Sequence, residues 1–359
     1  MNNVPIMLAG ERVWRTYTGG RNIDLLHGKE IAEDNHFPEE WMYSVTRAMN
    51  SGREEIVEGI CRTVENSELT LKELIEKNPE EMLGQEHIKK WGSTPGVLVK
   101  IIDSKERLTI QVHPDRKKAF ELFHSRFGKT ECWHILGIRT DMEEKPCLYL
   151  GFRKGITRKE WEACFREQDY DRMLSYLNRV EVKEGETYLV KGGVPHAIGA
   201  GCMLIEIQEP TDYTIRVEKI TPSGFRIDDQ MCHQGLGFEK MFECFNYQGY
   251  SQKEVLHNYR ILPKKLSEER NNCYELVGYQ DVDCFRIVEM RIETICMMSG
   301  EGTFYGIYVV SGEGILTVRE KRYELKRNTQ FFVPAVCEGY YITNIGADIL
   351  RVLKLYGPE

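Results

Sequence analysis

The sequence predicts a mainly β protein built from two β-barrels in tandem, with helices inserted into the first. Three observations carry that expectation. β-Branched alternation punctuated by glycine-rich turns fills the chain beyond residue 177, the rhythm of the first sheet recurs over 304–355, and helical periodicity is confined to 53–91, 116–126 and 157–177. A chain of 359 residues exceeds what one small core organises, so two linked substructures are expected, 1–245 and 246–359.

Taken in order, Ile56, Ile60 and Val64, then Leu69, Leu71, Leu74 and Ile75, give 53–91 its helical spacing. Residues 96–103 form an apolar run interrupted by Lys100, which reads as a strand. The strand at 108–113 is closed by Pro114, a short helix follows at 116–126, and a further strand carries Glu131. Thr157 and Glu160 have the spacing of a capping box and open the helical stretch to residue 177. A strand at 187–190 runs into a Gly-Gly-Val-Pro turn ending at His196. In the second half, Gly-Ile-Tyr-Val-Val-Ser-Gly-Glu-Gly, a charged hairpin and Gln-Phe-Phe-Val-Pro-Ala follow the strand-turn-strand order of a cupin barrel. Laying Val333 over Val190 sets Gly339 opposite His196, and laying Gly312 over Gly137 sets Gly306 opposite Glu131. The second barrel is therefore expected to lack metal ligands, which leaves one site, in the first.

A formal net charge of -8 argues against a nucleic-acid binder, which needs a basic face to displace counterions. It leaves room for a phosphorylated small molecule, because a few local cations decide that. No basic segment followed by an apolar leader opens the sequence, and no run approaches about 18 apolar residues, so a soluble cytoplasmic protein is expected. Eleven scattered cysteines without a C-x-x-C pair read as reduced thiols. Cys132 faces away from Glu131 by strand alternation and reads as a small buried hydrophobe.

The densest chemistry lies between residues 108 and 133. Alternation puts Thr109, Gln111 and His113 on one strand face and Ile110 and Val112 on the other. Amide oxygen, imidazole and the Glu131 carboxylate suit zinc or a similar divalent ion with an open coordination position. His196, held by its turn, is the candidate fourth ligand; a lone histidine would read as a core or surface residue, but this one has company. Lys100 sits mid-strand among apolar neighbours, so it either snorkels to an edge or faces a polar cavity. Lys129 shares the face of Glu131 and could meet a phosphate at the mouth, or stand as a solvated turn lysine. Arg216, a planar cation on a strand beyond the site, suits an oxyanion. Glu206, in Met-Leu-Ile-Glu-Ile-Gln, is a carboxylate among apolar neighbours, where burial raises a pKa. His134 falls on the opposite face from Glu131 and is left out of the ligand set.

The order of Leu-Thr-Ile-Gln-Val-His-Pro-Asp, Gly-Lys-Thr-Glu-Cys-Trp, the turn ending in His196-Ala197 and Asp212-Tyr213-Thr214-Ile215-Arg216 resembles type I mannose-6-phosphate isomerases, over about residues 95–226. The resemblance implies a double-cupin fold (two jelly-roll β-barrels) with a helical insertion, and one zinc per chain on Gln111, His113, Glu131 and His196. It implies interconversion of mannose 6-phosphate and fructose 6-phosphate through an enediol, with Arg216, Lys100, Glu206 and Asp212 as candidate catalytic groups. Thr109, Lys129 and Lys100 are then candidate contacts to the substrate. The chain departs from the family pattern in Trp14-Arg15-Thr16-Tyr17-Thr18-Gly19-Gly20, in Thr109 for a serine, in Lys191 for a proline and in the segment after Arg216. These departures bear on the substrate more than on the metal. The alternative is a metal-bearing cupin that binds or senses a sugar phosphate without turning it over.

Overall fold

Alternation along the strands dictates how the layers form. In strand Glu131–Ile138, Trp133 and Ile135 project to one side and Cys132 and Leu136 to the other, and all four are buried. A strand apolar on both faces must be covered on both, so sheets stack. The structure, a computed structural model, describes residues 3–266 and 272–359 and arranges its strands in four sheets of eight, seven, six and four strands.

The seven-stranded sheet sets Glu131–Ile138 between Thr187–Val190 and Cys202–Gln208, followed by Leu98–Asp103 and Glu39–Met42. It packs face to face on the six-stranded sheet, which contains Ile215–Arg216, Gln111–Val112, His196–Ile198 and Cys147–Arg153. Trp133, Ile135, Leu148, Leu150, Ile198 and Leu204 fill the space between them. The eight- and four-stranded sheets form a second sandwich around Ile307, Val309, Leu316, Ile342 and Val352. The two large sheets then meet back to back through Cys132, Leu136, Ile205, Ile207, Leu353 and Leu355. Helix Arg158–Glu167 covers the outer face of the six-stranded sheet, where Trp161 and Phe165 meet Ile110, Val112 and Phe152.

The mainly β expectation holds, but the sheets are open ladders and no closed barrel forms among the described residues. Beyond residue 245, Gly249–Tyr250 pairs with Cys147–Arg153 and Arg260–Ile261 with Thr187–Val190, so both strands join the sheets of the first sandwich. The first strand, Ile6–Ala9, crosses to the second half and pairs with Gln330–Val333. Residues 53–70 contain no helix: Gly52 and Gly59 hold φ of 75° and 93°, and Ile56 and Val64 stand exposed instead of facing a core. Helices there begin with Leu71–Lys77, whose capping box is formed by Thr70 and Glu73. The box at Thr157 and Glu160 forms as the spacing predicts. Gly306 faces Tyr43 in the central interface, whereas Glu131 faces the interior of its own sandwich. The repeat alignment is therefore out of phase with the pleat at that position.

No disulfide forms among the described residues, and Cys132 packs in the central interface. No helix among the described residues is long and apolar enough to cross a membrane.

His134 projects into that same interface, 1% exposed, with Nδ1 2.9 Å from the Thr187 hydroxyl. Burial, reinforced by Arg351 and Arg291 and opposed by Glu289, pushes the imidazole down to about 4. The folded protein thus refuses a proton that the unfolded chain accepts below about 6.5. Stability is complete above that pH and falls as pH drops toward 4, by roughly 3 kcal/mol. Denaturant unfolding between pH 7 and 4 should show this slope flattened in His134→Gln, and an unchanged slope would refute the assignment.

Candidate metal centre

Strand register assembles the site from both sheets of the first sandwich. On the six-stranded sheet Gln111 lies directly opposite His196 on one neighbour and Arg216 on the other, a row of three across three strands. On the facing sheet Glu131 lies opposite Gln208, and Glu206 lies between Trp133 and Lys100. His113 follows strand Gln111–Val112 directly, where Pro114 ends the ladder. The turn before His196 passes so close to the His113 strand that a side chain at Gly192 would lie 2.5 Å from the Asp115 backbone.

His113, Glu131 and His196 bring their ligand atoms within 4.8 Å of one another, and each is at most 1% exposed. Each imidazole donates from Nδ1 to a carbonyl, His113 to Tyr213 at 2.7 Å and His196 to Val194 at 2.8 Å. Those bonds fix the tautomer that turns an unprotonated Nε2 inward. Nε2 of His113 and of His196 each lie 3.2 Å from the Glu131 carboxylate, and the Gln111 amide lies 3.3 Å from Nε2 of His196. Rotating that amide by half a turn presents its oxygen to the same point. Burial and the nearby Lys129 ammonium push His113 down to about 3. Burial alone would raise Glu131, but Lys129 and the two imidazoles hold it well below the usual carboxylate range. Two imidazoles with inward-facing Nε2 atoms, an anionic carboxylate with a buried Oε1 lacking any hydrogen-bond partner among the described residues, and an amide fit a borderline divalent ion such as zinc.

The other expected residues converge on one adjoining cavity. Lys100, Thr109, Glu206 and Asp212 line it, with Lys129 and Arg216, so every residue singled out for catalysis or substrate contact reaches it. Lys129 lies inside rather than at the mouth, 3% exposed, 2.5 Å from the Glu131 carboxylate and 2.8 Å from Nε2 of His113. Lys100 takes the polar-cavity alternative, 2.9 Å from Glu206 and 3.7 Å from Glu39. Burial would lower its pKa, but those two carboxylates raise it, so it stays an ammonium. Trp133 donates from Nε1 to the second Glu206 oxygen at 2.9 Å. Arg216 donates to the carbonyls of Thr214 and Met231 and has no carboxylate within ion-pair distance among the described residues.

Arg15, Tyr17 and Glu39 are the residues sequence reasoning missed. Arg15 lies 3.0 Å from Glu39 and 3.4 Å from Asp212, over the ring of Trp41. Tyr17 and Trp41 each donate to Glu39 at 2.7 Å. Burial would raise the Glu39 carboxyl, but Arg15 and Lys100 bring it down to about 2. A signal was present: Glu39-Glu40-Trp41-Met42 is a strand with two adjacent carboxylates, both buried.

Residues 25–129 match the model of the type I phosphomannose isomerase catalytic domain, a span that includes Gln111 and His113. GmuF of Bacillus subtilis, described as a probable mannose-6-phosphate isomerase, is 28% identical over 239 residues, which are 67% of this chain and 69% of that protein. The mannose-6-phosphate isomerase of Streptococcus mutans is 26% identical over 260 residues, 71% of this chain and 75% of that one. The crystal structure of the mannose 6-phosphate isomerase from Bacillus subtilis superposes with a TM-score of 0.74 at 22% identity, over 98% of this chain and 99% of that one. A mannose 6-phosphate isomerase structure bound with zinc and yttrium superposes at 0.71 and 16% identity, over 99% and 100% of the two chains. At such identities the superpositions establish the fold.

His113→Ala should remove one of the inward-facing nitrogens and weaken zinc uptake by more than about 100-fold. Competition with a chromogenic chelator measures this, and a variant that still binds zinc like wild type would take His113 out of the ligand set.

Proposed function

We propose that the chain, which matches the type I phosphomannose isomerase catalytic domain over residues 25–129 and shares the fold of such enzymes, is a zinc-dependent aldose-ketose isomerase of that family, interconverting mannose 6-phosphate and fructose 6-phosphate through an enediol. The observation that carries this reading is the buried His113, Glu131 and His196 set, with the half-buried Gln111 beside it, opening on a cavity of alternating acids and bases. Four cationic side chains, Arg15, Lys100, Lys129 and Arg216, face four carboxylates, Glu39, Glu131, Glu206 and Asp212. A bound divalent cation makes the balance positive, which suits a phosphate monoester that is close to dianionic at neutral pH.

Gln111, His113, Glu131 and His196 would hold a zinc ion, which would supply Lewis-acid polarisation of the substrate's oxygens. The chain's own residues do the rest. Glu206 takes the carbon-bound proton between C1 and C2, with Asp212 the other carboxylate in reach of the cavity. Lys100, kept as an ammonium 2.9 Å from Glu206, donates to the substrate oxygen on which charge develops. Arg216, whose guanidinium is held only by carbonyls, is free to pair with that oxyanion. Thr109 and Lys129 contact the phosphate, and the extra methyl of Thr109 narrows that end of the cavity. On this reading the two sandwiches follow the plan of a double cupin without closing into barrels, and one zinc per chain belongs to the first. The enzyme works in the cytoplasm on a soluble sugar phosphate, in keeping with a net charge of -8 that repels nucleic acid.

A coupled assay on mannose 6-phosphate should show turnover that is abolished by chelation and restored by zinc. Activity indifferent to complete metal removal would refute the zinc role. A zinc-loaded protein that turns over no hexose or pentose phosphate would instead be a metal-bearing cupin that senses sugar. Arg216→Ala should keep its zinc and lose about 10²- to 10³-fold in kcat, and full activity in that variant would disprove its role.

A further inference from the structure

The segment Gly128-Lys129-Thr130 places Lys129 and Glu131 in the metal centre, and something must hold it there. Glu209, just past strand Cys202–Gln208 and 0% exposed, does so with both carboxylate oxygens. One accepts the Thr130 N–H at 3.0 Å; the other accepts Arg116 Nε at 2.6 Å and the Gly128 N–H at 3.4 Å. The Glu209 N–H completes the grip by donating to the Thr130 carbonyl at 3.0 Å. Arg116 is fixed in turn by Asp283 of the second half at 2.7 Å and lies over the Trp91 ring. Gly128 has no room to shift, since a Cβ there would lie 2.7 Å from the Pro114 carbonyl.

We infer that Glu209, anchored by Arg116, is a positioning residue for the metal centre: it sets the backbone amides on either side of Lys129 and thereby the placement of Lys129 and Glu131. This rests on the metal reading above. A buried carboxylate accepting two backbone N–H groups and one guanidinium is a rigid acceptor. Its amide isostere offers one oxygen and turns N–H groups toward donors. The second half of the chain reaches this grip only at its far end, where the exposed Asp283 pairs with Arg116.

Zinc alone is the probe, competed against a chromogenic chelator on folded wild type, Glu209→Gln, Arg116→Met and Asp283→Asn, with kcat and KM for mannose 6-phosphate measured alongside. Glu209→Gln should bind zinc about 10- to 100-fold more weakly and lose kcat with KM little changed, as outer partners of metal ligands do. Asp283→Asn leaves the grip on the segment intact and should stay within about threefold of wild type in zinc affinity. Wild-type zinc affinity in Glu209→Gln overturns the inference. So does an equal loss in Asp283→Asn, which would mark general loosening rather than positioning. Should Glu209→Gln fail to fold, Arg116→Met carries the test: a loss of about tenfold supports the inference and no loss overturns it. A wild-type chain that takes up no zinc would remove the metal reading, and this inference with it.

Discussion

A carboxylate taken fully out of water costs several kcal/mol unless cations and donors meet it, and Glu131 stands at the start of a central strand with no exposure at all. The pleat turns it into the sandwich, so its partners must come from other elements on the same interior face. Lys129 supplies one from two residues upstream, and His113 and His196 bring their inward-facing Nε2 atoms beside the carboxylate from the opposite sheet. Further along the strand the same face carries Trp133 and Ile135 and the interior turns apolar. The first sandwich therefore has a polar end and an oily end, set by which residue of one strand comes first.

The acids and bases beside Glu131 are ordered rather than crowded. Asp212, Arg15, Glu39, Lys100 and Glu206 form an alternating chain in which each charge touches an opposite one. Such a chain keeps charges ionised where burial would neutralise them, as Glu39 and Lys100 illustrate in opposite senses. It also fixes dipoles before a substrate arrives, which is how an enclosed site stabilises developing charge without reorganising. Arg216 stands outside the chain, held among the described residues only by carbonyls, and is a cation left over for a ligand.

Gln111, His113 and Glu131 were legible in the sequence because a period of two and a closing proline sort a short strand into faces without knowledge of its neighbours. His196 was legible because its turn is spelled out by glycine and proline. Arg15 and Glu39 were not, since they reach the cavity only through the order of strands in the seven-stranded sheet, where Glu39–Met42 lies beside Leu98–Asp103. Residues 53–70 misled for a physical reason: apolar side chains spaced by four imitate a helical face, while two glycines at positive φ and exposed Ile56 and Val64 belong to a loop. Barrel closure escaped as well, because alternation specifies faces and says nothing about which edges pair.

The back-to-back contact of the two large sheets explains why the second half, whose described residues include none of the proposed ligands, still belongs to the site. Sliding or hinging the halves would expose Ile205, Ile207, Leu353 and Leu355, all at 0% exposure, and at about 25 cal/mol per Å² such a motion is strongly opposed. The second sandwich is thus a fixed wall behind strand Glu131–Ile138, and Arg116 ties that wall to the segment before Glu131 through Asp283 and Glu209. A rigid backing is what a metal centre needs when its central carboxylate sits on the strand that separates the two halves.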